Sequence, residues 1–208
     1  MKSERVRQVS PVENSGRQRI VATARRHFFA YGFRAVTMDD IARELGMSKK
    51  TLYAHFPSKA ALVEAVLLDK IRRVETDLKR ITSSSSSNFL TTLHQLLARV
   101  QMHLEEIQPP FLRDLRREAP EMFALVETRR REMIHQYFGR LVGAGQAEGI
   151  IREDVPTELI VEILLGATQA IMNPEKLTEL GLTPREGFSA IITVIFRGVV
   201  TEMGRATL

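Results

Sequence analysis

Lys49, Lys50 and Thr51 stand in succession, followed by Leu52 and Phe56 as apolar anchors. A short helix with a small or polar N-terminal face and an anchored C-terminal face is what insertion into the major groove of DNA requires. Other chemistries were weighed against this one. Glu132-Met-Ile-His135 has the Glu-x-x-His spacing of carboxylate-bridged di-iron bundles. That site takes two such motifs and two further glutamates, and none of His27, His55, His94 and His103 has a glutamate three residues before it. The chain has no cysteine, which removes thiol nucleophiles, disulfides and thiolate metal sites, and it has no phosphate-cradling glycine loop. Neither enzyme chemistry nor a cofactor is expected.

Charge distribution agrees with a polyanionic partner. Residues 1–59 hold twelve Lys and Arg against five Asp and Glu, whereas the remainder holds eighteen against twenty. Positive charge concentrated in the first third is the electrostatic footprint of a nucleic-acid binder. At 208 residues and 44% hydrophobic, the chain can fold a small reading domain and a larger body. Its apolar stretches, such as Ala190 to Phe196, are shorter than the roughly 20 residues of a membrane span. The polar stretch from Met1 to Gly16 has no apolar core of the secretory kind. A cytoplasmic protein without membrane contact is expected.

The elements that position these residues read as helices throughout. A first helix is expected from Arg17 to Tyr31, with Ile20, Ala24, Phe28 and Tyr31 inward and Gly32 at its end. A second starts at Thr37, whose hydroxyl can cap it reciprocally with Asp40, and carries Met38, Ile41, Ala42 and Leu45 on one face. Gly46 supplies the turn, and Ser48 caps a third helix with Leu52, Tyr53 and Phe56 inward. A long fourth helix begins at Pro57-Ser58 and carries Val63, Val66, Leu67, Ile71, Val74, Leu78 and Ile81. The run Ser83 to Ser87 is low-complexity and is expected to be a loop. Further helices are expected from Leu90 to Ile107, from Phe111 to Arg117, and from Pro120 without interruption to Ala147. The last two, Glu158 to Met172 and Arg185 to Met203, are apolar nearly all round, which suits either a central core helix or, as expected here for two such helices together, a surface that a second copy covers.

The stretch Thr37 to Lys59 closely resembles the tetracycline-repressor (TetR) family. The likeness rests on Gly32, Thr37, Ile41-Ala42, Leu45-Gly46, Ser48, Thr51-Leu52-Tyr53, His55-Phe56, Ser58-Lys59 and Leu62 in register. It implies an all-α protein with two parts. One is an N-terminal three-helix DNA-binding domain over residues 15–75, its helix-turn-helix at about 37–56. The other is a C-terminal helical ligand-binding and dimerisation domain over 76–208. It further implies a homodimer on a palindromic double-stranded DNA operator, released by a small-molecule effector. By position, Thr37, Tyr53, His55 and Lys59 match phosphate contacts, and Lys49, Lys50 and Thr51 fall on the base-reading face. Position 50 is often small in the family, and Lys50 departs from that pattern.

If the family layout holds, the effector cavity is lined by Leu97, Val100, His103, Leu104, Phe111, Phe123, Val126, Arg130 and Tyr137, alongside Leu93, Met122 and Phe138. Arg130 is included because the apolar stripe between Val126 and Met133 is broken by Arg129 and Arg130, and an inward arginine could pair with an anionic effector. The alternative is local pairing, Glu127 with Arg131 and Arg129 with Glu132. Dimerisation is expected through Ile160, Ile163, Leu164 and Ile171, and through Phe188, Ile191, Ile192, Ile195 and Val199. The expected function is that of a ligand-responsive repressor. An architectural or cell-division DNA-binding protein on the same fold is the alternative.

Overall fold

The structure is a computed structural model and describes residues 11–83, 88–200 and 202. Residues 84–87 of the polyserine run, and the end of the last expected helix at Met203, lie outside the described residues.

Helix α1 (Pro11–Tyr31) buries Ile20, Ala24 and Phe28. Tyr31 is turned to solvent instead, because Phe29 takes the inward place and packs edge-on against Phe111 at 4.8 Å. Helix α2 (Met38–Glu44) is capped as expected: the Thr37 hydroxyl accepts from the Asp40 amide, and the Asp40 carboxylate accepts from the Thr37 amide. Gly46, at φ +63°, turns the chain into α3 (Lys49–His55), which Ser48 caps. Any side chain there would enter a region that L-residues adopt only at a cost. Ser58 caps α4 (Lys59–Thr82), whose 24 residues span about 36 Å.

The body continues through α5 (Phe89–Glu105), α6 (Pro109–Glu118) and α7 (Pro120–Met133). The single helix expected from Pro120 to Ala147 holds one π turn, Ile134–Phe138, before α8 (Gly139–Ala147). A π turn inserts one residue per turn and rotates the stripe that follows. Tyr137 and Phe138 within it and Leu141 just after it enter the core, while Arg130, one turn before it, pairs with Glu127. Helices α9 (Thr157–Ile171), α10 (Pro174–Glu179) and α11 (Pro184–Val199) complete the chain, and α10 was not expected. Among the described residues the only β feature is an isolated bridge between Ile151 and Val200.

Two hydrophobic cores result, and α4 serves both. Leu62, Val63, Val66 and Leu67 join α1, α2 and α3 in the first, which Phe111 and Leu115 of α6 close from the side. Leu78 and Ile81 join α5, the π turn, α8, α9 and α11 in the second.

Candidate nucleic-acid interface and interior cavity

On α3 the side chains of Lys49, Lys50, Thr51 and Ala54 are exposed while Leu52 and Phe56 are buried. Tyr53 does not face inward as expected from its apolar neighbours; it is 46% exposed, because the helix is only two turns long and Leu52 already fills the inward position. Lys49 pairs with Asp39 of α2. The Thr37 hydroxyl donates to Asp40 at 2.6 Å, so its proton is engaged within the cap. His55 lies against Gly16 of α1. Lys59 is the first residue of α4, half-buried, with Nζ 3.4 Å from the Arg34 carbonyl. Burial lowers its ammonium pKa, opposed by the charges of Asp114 and Asp40.

Helix N-termini carry partial positive charge and ordinarily attract carboxylates. Helix α2 follows that rule with Asp39 and Asp40 in its first turn. Helices α3 and α4 have no acid in theirs and begin instead with Lys49-Lys50 and Lys59. A lysine at a helix start is unfavourable in isolation and becomes favourable beside an anion.

Eleven residues beyond Lys59, α4 carries a buried ammonium. Lys70 Nζ donates to the His103 carbonyl at 3.0 Å, to Glu106 at 2.5 Å and to His103 Nδ1 at 3.1 Å. Glu106 also pairs with Arg25 of α1 at 3.3 Å, so one carboxylate ties α1, α4 and α5 together. Because Nδ1 faces an ammonium it must accept, which leaves the proton on Nε2, 3.1 Å from Asp77. Burial first, and then the charge of Lys70, lowers the His103 pKa, although Asp77 and Glu106 act against this. Burial also lowers that of Lys70, against the pull of Glu106.

The same lysine borders an interior cavity of about 200 Å³ between α4, α5, α7, the π turn, α9 and α11. Its walls are apolar, among them Ile71, Val74, Phe138 and Phe188, and its polar side chains are Lys70, His103, Arg130 and Thr168. A second hollow of about 450 Å³, reaching Leu112 and Arg116 of α6, shares Leu104, Ile107, Arg130 and Met172 with it. Together they fall within the roughly 300–1,000 Å³ of small-molecule sites. Among the described residues no cluster of His, Asp and Glu could hold a metal ion, and no helix is long and apolar enough to cross a membrane.

Residues 20–66 match the family model described as bacterial regulatory proteins, tetR family. The N-terminal domain of the chain is of the tetR family. It is 27% identical over 185 residues to the uncharacterized HTH-type transcriptional regulator YvaF of Bacillus subtilis, covering 89% of this chain and 96% of that protein. It is 28% identical over 165 residues to the HTH-type transcriptional repressor KstR2 of Mycolicibacterium smegmatis, covering 74% and 76%. Its fold matches that of a transcriptional regulator from Saccharomonospora viridis solved in complex with choline, with a TM-score of 0.67 at 18% identity over 91% of this chain and all of that one. The protein is therefore a DNA-binding transcriptional regulator with a tetR-family reading domain, and the relatives YvaF and KstR2 are named as transcriptional regulators.

Within this chain the expected cavity residues divide. Val100, His103, Leu104 and Arg130 border the inner cavity, and Phe123 borders the outer one. Phe111 closes the first core, Val126 packs against that core, and Tyr137 is buried beside the cavity without bordering it. Leu97 faces a separate groove with His94, Phe196 and Arg197. These four differ because the stripe fixes only which helix side is apolar, and α5 and α7 each meet more than one neighbour. Lys70, Ile71, Val74, Leu164, Thr168 and Phe188 were missed as cavity residues. The local pairs also differ: Arg129 meets Glu132 as expected, Glu127 pairs with Arg130, and Arg131 reaches Glu162 of α9.

The expected dimer residues mostly point the other way. Ile160, Leu164, Phe188, Ile191, Ile192 and Ile195 are buried in this chain's own core, and Ile171 and Val199 are half-buried. Only Ile163 of that set is exposed, at 50%. Beside it on α9 lie exposed Leu159, Gly166 and Ala170, and on the neighbouring α11 lie Ala190, Val194 and Gly198, with Val194 74% exposed.

Proposed function

We propose that this regulator is a repressor that binds a palindromic operator as a homodimer and releases it when a small molecule fills the interior cavity. One observation carries the reading. Helix α4 begins with Lys59, one of the proposed phosphate contacts, and its middle, at Lys70, Ile71 and Val74, forms a wall of the cavity. A ligand pressing on that wall moves the reading head, because the first core is packed on the same helix. Helix α6 offers a second path. Leu112 and Arg116 border the outer hollow, while Asp114 accepts from the Arg34 amide at 2.8 Å, in the segment before α2.

In this reading Lys49, Lys50 and Thr51 meet base edges, and Thr37, Tyr53, His55 and Lys59 meet phosphates. Outward-facing α3 and the lysine-bearing starts of α3 and α4 support it. The second copy covers the face of Leu159, Ile163, Gly166 and Ala170 with Ala190, Val194 and Gly198. Small residues there let helices approach closely, and a solvated Val194 between them favours burial. Two heads held this way dock in successive major grooves about 34 Å apart, so a shift of a few Å in their spacing abolishes simultaneous contact. KstR2 is named a repressor, and the Saccharomonospora viridis regulator holds choline, which supports both repression and a small-molecule effector.

Selection of bound sequences from a random DNA pool tests the reading and is expected to return a palindrome. Dispersed sites without symmetry would favour the architectural role. Lys59→Ala should weaken all bound sequences alike and lower the salt-dependence slope by about 1. A changed base preference at an unaltered slope would refute the phosphate role.

A further inference from the structure

We infer that the effector is an amphipathic anion, with a carboxylate received by Arg130 and an apolar body lying between α4 and the π turn. This inference rests on the interior cavity being the effector site.

Charge is the first argument. The inner cavity is bordered by two cations, Lys70 and Arg130, and by no Asp or Glu. Both are paired with carboxylates that do not border it, Lys70 with Glu106 and Arg130 with Glu127, so a cationic ligand would find no carboxylate on the walls of the inner cavity to replace its water.

Donor accounting is the second. All three Lys70 donors are occupied, and Glu106 neutralises the ammonium. Arg130 differs. It donates through Nη2 to Glu127 at 2.5 Å, but its Nε–H is buried and has no hydrogen-bond partner. A buried donor left unmade costs free energy in the empty protein, and a ligand that accepts from it recovers that cost on binding. Carboxylates accept strongly from guanidinium groups, whereas an alcohol offers a weaker, uncharged acceptor.

Position is the third. Arg130 borders both the inner cavity and the outer hollow, so a head group held there leaves its tail beside Ile71, Val74 and Phe138. The head group also sits one turn before the π turn, whose Ile134 and Phe138 shape the cavity.

Affinity of the full-length protein for octanoate, decanoate and dodecanoate is compared with that for the corresponding alcohols and alkyltrimethylammonium ions by calorimetry. The carboxylates are expected to bind at least about tenfold more tightly than the alcohols of equal length, and the ammonium ions least. Arg130→Met should abolish the carboxylate advantage, leave alcohol affinity within about threefold, and fold as well as the parent because an orphaned donor is removed. Arg130→Lys, which keeps the charge without the Nε donor, should restore part of the preference. Carboxylates binding no better than alcohols, or an advantage that survives Arg130→Met, would overturn the inference while leaving the cavity reading intact. Val74→Trp, which fills the inner cavity, should abolish binding of both series. Binding that survives Val74→Trp, or binding of none of the three series, would overturn the cavity reading as well.

Discussion

Burial first, and then Lys70, disfavours the charged form of His103: a second proton would sit on Nδ1, facing the Lys70 ammonium 3.1 Å away. The unfolded chain protonates its histidine at an ordinary pKa of about 6.5, and the folded chain resists until a lower pH. The unfolded state thus binds more protons in that window, so the stabilisation is full above about 6.5 and is lost as the pH falls through the folded value. His103→Gln can accept from Lys70 through its amide oxygen and donate to Asp77 through its nitrogen, without titrating. Its melting temperature should fall less than that of the parent between about pH 7 and 5; parallel curves would show that His103 does not govern the loss. The sequence held a signal for this cluster that went unread. Lys70 interrupts the apolar stripe between Leu67 and Val74, a position where a lysine must either reach solvent or find partners inside. Its partners, His103 and Glu106, lie 33 and 36 residues away, and no local spacing announces them.

At the scale of elements, helices with sharp boundaries were legible. Thr37, Ser48 and Ser58 cap as their types require, and Gly46 turns the chain where only glycine does so without strain. Helix faces were less legible where a helix is apolar on several sides. Composition identifies α9 and α11 as needing two partners, but it does not say which flank meets the chain's own core and which meets another copy. In the structure Ile160 and Leu164 enter the chain's own core while Leu159 and Ile163, one residue away, are exposed, and the proposed second copy covers that exposed flank. The double variant Ile163→Glu, Val194→Glu should therefore give a folded monomer by light scattering, with operator affinity at least about tenfold weaker, since each head then binds alone. A variant that stays dimeric would show that the second copy docks elsewhere. The π turn was not legible, because Met133, Tyr137 and Leu141 keep a four-residue spacing across it and an inserted residue leaves the composition of the helix unchanged.

For the whole molecule the question is how a filled cavity is felt at the DNA. Glu106 does not border the inner cavity, yet it joins Lys70 on the cavity wall to Arg25 in the reading head. Glu106→Gln should leave effector affinity within about threefold in the absence of DNA while reducing the coupling between effector and operator by about tenfold or more. Because coupling is reciprocal, the loss must be equal when measured from either side. An unchanged coupling would assign transmission to α6 and the Asp114 contact instead.

The reading head is not a self-contained cassette. Phe111 and Leu115, both buried, belong to α6 yet close the core built by α1 to α4, and Phe29 has its aromatic partner there. A hybrid regulator joined at residue 75 would keep every DNA-facing side chain and lose that lid, leaving Phe28 and Phe29 against a foreign surface. If the proposed base contacts hold, operator preference should move with the outward residues of α3, or with α1 to α4 together with α6. A substitution on the outward surface of α3 leaves the seam untouched, whereas one at Phe29, Phe111 or Leu115 is felt on both sides of it.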